Sequence, residues 1–260
     1  MENNSDTNHH QNSYLSPEQM HHLVYNLFGP ECPLQVKQIE ATAFKKIPMF
    51  NLCKYVMQDI KANEGIQLTE SAAFPSEWVK EIYKQNYFQD QWLKQQNIEP
   101  NTESDSESIC LTHAVLIASG LCSDAGNKMQ LTQLGHTALL NDQLLLETIL
   151  FNFAMNIDWS ALDGYGKHPA AQVGIGVVLM LLHQYGHETH KIKFYSDLYY
   201  KAFPSLLGMF PSGLKISQEE LALRCFTIRC VERFLLMFGM VDVKDESLQF
   251  VHAITEIRQQ

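Results

Sequence analysis

Three histidines, His183, His187 and His190, stand in the order H-x-x-x-H-x-x-H, and two imidazoles four residues apart on a helix can share one zinc ion. Gly186 lies inside that spacing, and Glu188 follows His187 rather than preceding it, so the pattern of a zincin is missing. Solvent-facing histidines beyond a helix end are the default expectation; no metal and no cofactor is expected, and these three are the nearest approach to a metal site. Six cysteines, Cys32, Cys53, Cys110, Cys122, Cys225 and Cys230, form no C-x-x-C pair, and most fall in apolar helical stretches. They read as reduced thiols packed like small apolar side chains in a cytoplasmic protein. Gly174-Ile175-Gly176 lacks the third glycine and the preceding strand of a dinucleotide fingerprint and reads as a place of close helix packing. No G-x-S-x-G, P-loop or H-E-x-x-H is present, and no catalytic residue is expected.

Two further groups could carry recognition. Arg224, Arg229 and Arg233 lie on one long helical stretch, with Arg229 and Arg233 four apart on a shared face. They are the candidate nucleic-acid contacts, although Glu219, Glu220 and Glu232 interrupt the basic surface and favour a reading as helix-surface ion pairs. Trp159, Asp163 and Tyr165, with Gly164 and Gly166, form an aromatic–acidic loop between two apolar helices. It is the candidate ligand or partner loop; the blander expectation is that the aromatics plug the helix junction while the glycines turn the chain.

The elements that must position these residues are mostly helices. Ser16-Pro17-Glu18 reads as a cap with proline in the first turn. Met49, Leu52, Tyr55, Val56, Met57 and Ile60 give a helical stripe, and Ser217-Gln218-Glu219-Glu220 suggests a capping box at the head of a helix over 217–238. Residues 108–119 read as a helix stopped by Gly120, followed by Leu121-Cys122-Ser123, a turn at 124–127, Met129-Gln130-Leu131-Thr132, and another helix. The chain repeats this order at its end: helix, Gly239, Met240-Val241-Asp242-Val243, a turn, Leu248-Gln249-Phe250-Val251, then a helix over 252–257. Residues 55–69 look like a degenerate third copy. Self-similarity of this kind predicts a repeated unit, and helix, glycine and two-stranded ribbon is the tail of a winged helix-turn-helix.

The expected fold class is therefore mainly α with small β-hairpins, as winged-helix-like units packed with a helical bundle. The expected organisation is a disordered tail over 1–13, a helical region with a partial winged unit over 14–98, and an acidic linker over 99–107. A winged-helix-like unit over 108–143 and a helical region ending in a second such unit over 144–260 complete it. At 260 residues, 45% hydrophobic and 18% charged, the chain can bury a large core. Its formal charge of −10 opposes sequence-independent binding to phosphate backbones. The longest apolar run, 170–182, is too short for a membrane span.

The stretch from Leu15 to about Val243 resembles an uncharacterised bacterial family whose members occur alone or fused to SEC-C zinc-binding motifs and to a pRiA4b-type domain named after a plasmid open reading frame. The residues that carry the likeness are Leu15-Ser16-Pro17-Glu18-Gln19-Met20, Lys46-Ile47-Pro48, Ile66-Gln67-Leu68-Thr69, Met129-Gln130-Leu131-Thr132 with Gly135, and Trp159 with Asp163-Gly164-Tyr165. Gln184-Tyr185-Gly186, Phe194-Tyr195 and Ala202-Phe203-Pro204 extend it. The family brings no established activity. Where it carries a Gly-Asn pair this chain has Ala72-Ala73, and the SEC-C cysteine cluster is absent. The function expected from all this is a non-enzymatic interaction protein that binds a protein partner or itself through its winged units. The alternatives are a DNA-binding regulator using the 217–238 helix, and an enzyme or metal-binding protein with an unrecognised site.

Overall fold

The computed structural model describes residues 15–213, 215–244, 247–250 and 255–257; the tail expected over 1–13 lies outside them. The chain opens with α1, Pro17–Tyr25, where Ser16 accepts from the Gln19 backbone N–H while the Gln19 side chain accepts from Ser16 N–H, a reciprocal cap. A short strand β1, Leu34–Val36, leads to α2, Pro48–Ala62, whose Met49, Leu52, Cys53, Val56, Met57 and Ile60 are buried at helical spacing.

Then come β2, Ile66–Gln67, α3, Ser76–Lys84, and α4, Gln91–Gln96. Next are α5, Glu107–Ala118, β3, Cys122–Asp124, and β4, Lys128–Leu131. The three strands form one antiparallel sheet in the order β2-β4-β3, with Ile66 opposite Met129 and Cys122 opposite Leu131. Two connecting helices follow, α6, Gln133–Ala138, and α7, Asp142–Met155.

The second half repeats that plan. α8, Ile175–Tyr185, β5, His190–Lys191, α9, Ile192–Ala202, and the short α10, Pro204–Gly208, precede α11, Gln218–Phe226. α11 runs on without a break as a π-helix, Thr227–Leu236, an uncommon winding at this length. β6, Val241–Lys244, and β7, Ser247–Phe250, then pair in a sheet ordered β5-β7-β6. With the short α4 and α10 set aside, the order helix, strand, helix, helix, strand, strand, with the first strand added beside the last, occurs twice. The glycine after the third helix is left-handed in both halves, Gly120 at φ +66° and Gly239 at φ +64°.

The repeat seen in the sequence is thus real but twofold. Residues 55–69 are no third copy: Ile66–Gln67 supply the third strand of the first ribbon, and His190–Lys191, not anticipated, do the same for the second. A closing helix over 252–257 is also corrected. Thr255–Ile257 form β8, antiparallel to β1, with Leu34 opposite Ile257, and 251–254 lie outside the described residues. Segment 99–107 is no passive linker either. It lies inside the first unit, where Glu103 accepts from Phe74 N–H at 2.6 Å and holds His113 Nδ1 at 2.9 Å. Ser217 caps α11 through Glu220 N–H at 3.1 Å, but the Glu220 carboxylate turns to Arg224 at 2.6 Å instead of closing the expected box.

One continuous apolar core joins both halves. Phe153 of α7 sits at its centre, ring centroids 5.7 Å from Trp159 and 5.3 Å from Phe238. Edge-on aromatic packing of this kind adds to what area burial gives. Among the described residues no helix is long and apolar enough to cross a membrane.

Candidate functional site

The π-helix turns Arg229 inward. Its side chain is fully buried, and each of its five N–H donors has an acceptor. Nε and Nη2 reach the two Asp163 oxygens at 2.6 and 2.8 Å; Nη2 also reaches Gly166 O at 3.2 Å; Nη1 donates to Ala170 O at 3.1 Å and to His168 O. The guanidinium lies between the Trp159 and Tyr165 rings, 5.9 and 5.7 Å from their centroids. A planar fork that finds five acceptors fixes the backbone of the whole loop 163–170.

Burial pushes the Asp163 carboxyl up, but the Arg229 hydrogen bonds, the Tyr165 N–H and the charges of Arg229 and Arg233 outweigh it and hold the group below the usual aspartate range. His168, stacked on Phe210 at 3.9 Å, accepts from Ala170 N–H at Nδ1 and faces Leu206 O with Nε2 at 2.9 Å. That pairing selects the neutral Nε2–H tautomer, and burial, reinforced by the Arg229 charge, lowers its affinity for a second proton.

One turn on, Arg233 reaches in the other direction. It pairs with Glu107 at the head of α5, donates to Leu162 O at 3.1 Å, and stands 3.5 Å from Asp163 Oδ2. The third helices of the two repeated units are therefore tied by an ion pair. Beside that pair opens a cleft of about 1330 Å³, walled by the turn before α4, α4 itself, the start of α5, the π-helix and β6. Five carboxylates line it, Asp90, Asp105, Glu107, Glu232 and Asp242, against one guanidinium, Arg233.

Asp90 is largely withdrawn from solvent and accepts from Ser108 N–H at 3.0 Å and from the Ser106 and Ser108 hydroxyls, capping α5 from outside. Glu232 stays open to the cleft. Desolvation by its walls and the Glu107 charge raise its pKa, with Arg233 pulling back. Trp92 is 60% exposed and Tyr87 39% on the α4 wall.

The residues singled out in the sequence are partly brought together. Trp159, Asp163 and Tyr165 do converge, but on Arg229, so they are spent inside the molecule. Arg229, read as a nucleic-acid contact, is fully buried with all five donors taken, and Arg233, 9% exposed, is paired with Glu107 and stands beside Asp163, so neither presents an open basic surface to a phosphate. Arg224 is exposed and paired with Glu220.

His187 is exposed, and His190 stacks on Phe194 at 4.3 Å beside Glu188; with His183 they form no metal-ligating cluster among the described residues. Burial pushes the Cys110, Cys122 and Cys225 thiols up to about 12 and raises Cys32, Cys53 and Cys230 as well. None of the six is a ready thiolate nucleophile. The cleft residues Asp90, Trp92, Glu232 and Asp242 escaped the sequence reading because they come from two stretches far apart in the chain, the head of α4 and the end of the π-helix with β6. Trp92 in an otherwise polar six-residue helix was the one local signal.

No family model, curated protein or solved structure matches the chain.

Proposed function

We propose that this is a non-enzymatic interaction protein: two winged-helix-like units locked together through their third helices, with the acidic cleft between them receiving a basic segment of a protein partner. The observation that carries the reading is the cleft's composition, five carboxylates to one guanidinium beside exposed Trp92 and Tyr87. Such a surface attracts lysine and arginine side chains by its field, holds them over aromatic faces, and repels phosphate.

The winged-helix reading is supported by the twice-used element order and by the sheet orders β2-β4-β3 and β5-β7-β6. In DNA-binding winged domains the third helix enters the major groove. Here the head of α5 and the last turns of the π-helix face the shared cleft, and Arg229 and Arg233 are committed internally, which favours a protein partner over DNA. The six free thiols fit a reducing, cytoplasmic setting.

Titration of the full chain with an arginine/lysine-rich peptide, followed by Trp fluorescence at low and high salt, tests the proposal. Salt-sensitive binding that weakens at least tenfold in Glu232→Gln/Asp242→Asn is the expected result. Equal affinity for a glutamate-rich peptide, or tight binding to duplex DNA that the same double substitution leaves intact, overturns it.

A further inference from the structure

Outside the cleft, three side chains converge on the opposite end of the chain. Glu18 and His22 are four apart on α1 and so share a face, and Glu31 comes back to them from the loop after the helix. One carboxylate oxygen of each glutamate and one His22 ring nitrogen all lie within 4.8 Å of one another, with His22 Nε2 at 3.3 Å from Glu31 Oε2. Among the described residues neither glutamate has a lysine or arginine partner; the imidazole is the one base between them.

From these three groups we infer a divalent-cation site of one imidazole and two carboxylates. That donor set suits zinc and its first-row neighbours, leaving the remaining coordination positions to water.

The supporting structure fits the assignment. The His22 side chain is only 15% exposed, whereas Glu31 is 76% exposed, so the imidazole is seated and the carboxylates can move to meet an ion. Ligand atoms about 2.0–2.2 Å from a cation lie roughly 3–4 Å apart, so closing the trio takes roughly an ångström of side-chain movement.

The loop that delivers Glu31 is pinned at two points: Gln35 Nε2 donates to Gly29 O at 2.7 Å and to Cys32 O at 2.9 Å. Asn26 lies 3.5 Å from His22 Nδ1. With its amide turned over, Asn26 Oδ1 accepts from Nδ1–H and leaves Nε2 free for the ion. Metal-bound histidines are oriented by an acceptor in that position, and the two amide orientations are equivalent in outline.

The test is zinc titration of the full chain by calorimetry, with bound metal counted after dialysis. One equivalent in the micromolar range is expected. Binding should fall at least tenfold in His22→Ala, Glu18→Gln and Glu31→Gln and be unchanged in His187→Ala; His9 and His10 are common to every variant and set a constant background. An equivalent that survives His22→Ala, one lost with His187→Ala, or no binding at all overturns the site. If circular dichroism shows His22→Ala unfolded, the exposed isostere Glu31→Gln decides: full affinity there is equally fatal.

Discussion

Arg229 shows how one side chain sets the behaviour of a loop. With all five donors satisfied and Asp163 at 2.6 Å, the pair is neutral as a unit, yet each member alone is a charge without water. Arg229→Ala should therefore cost about 3–5 kcal/mol in chemical denaturation, while Arg229→Met with Asp163→Leu recovers most of that; a double variant no better than the single would refute the pairing argument.

The same neighbourhood sets an acid limit in two steps. His168 has a lowered folded pKa, so its contribution is present above the ordinary histidine value of about 6.5 and is lost as pH falls through the folded value. Asp163 has a lowered folded pKa too, so its contribution persists down to the ordinary aspartate value of about 3.9 and fades below it. A melting-temperature profile should decline first below about pH 6.5 and again below about pH 4, and His168→Gln should remove the first decline only.

At Ala72 the backbone is left-handed, φ +58°, which costs a residue with a Cβ about 1–2 kcal/mol. Glycine returns part of that as extra freedom of the unfolded chain. Ala72→Gly should still stabilise, by up to about 1 kcal/mol; a lower melting point for the glycine variant would contradict the assigned turn.

Among the elements, the two equivalent glycines after α5 and after the π-helix make a controlled comparison. A Cβ on Gly120 meets nothing within 4 Å, whereas one on Gly239 comes within 2.5 Å of Lys46 O, a backbone atom that cannot swing away. Gly120→Ala should cost about 1–2 kcal/mol from its φ alone, and Gly239→Ala clearly more; equal losses would mean the second ribbon is not held against the start of α2.

These glycines were legible because helix, glycine and apolar pair is a pattern of neighbours. The hairpins that follow them were legible for the same reason. β2 was legible as a short strand at 66–69, but not its pairing with Met129; β5, two residues long, too short for alternation to register and defined by Leu248, a partner about 60 residues away, stayed hidden altogether. β8 was hidden likewise, since its pairing with β1 joins the two ends of the chain. The loop of Trp159, Asp163 and Tyr165 was visible as a cluster, but its partner was not. Arg229 looked like one more helical arginine because nothing in a local window reports that its helix widens and turns it inward.

For the molecule as a whole, the sum of charges decides what the cleft can hold. The chain carries −10, and five carboxylates face one arginine in that space. Of these, Asp90 caps α5, Asp105 accepts the N–H groups of Asn101 and Thr102, and Glu107 holds Arg233. The surroundings of Glu232 oppose its ionisation, through desolvation first and Glu107 second.

A carboxyl whose folded pKa is raised stabilises the fold below its ordinary value, about 4.3, and loses that contribution as pH rises through the folded value. At pH 7 ionised Glu232 therefore works against folding. Glu232→Gln should melt at a higher temperature than the parent at pH 7, with the gap closing toward pH 4. If the cleft binds basic segments, the same substitution weakens that binding, the trade expected where a charge is kept for recognition at the expense of stability. A variant that is both more stable and equally good at binding the basic peptide would leave Glu232 without a role in the cleft and remove the acidic surface as the basis of recognition.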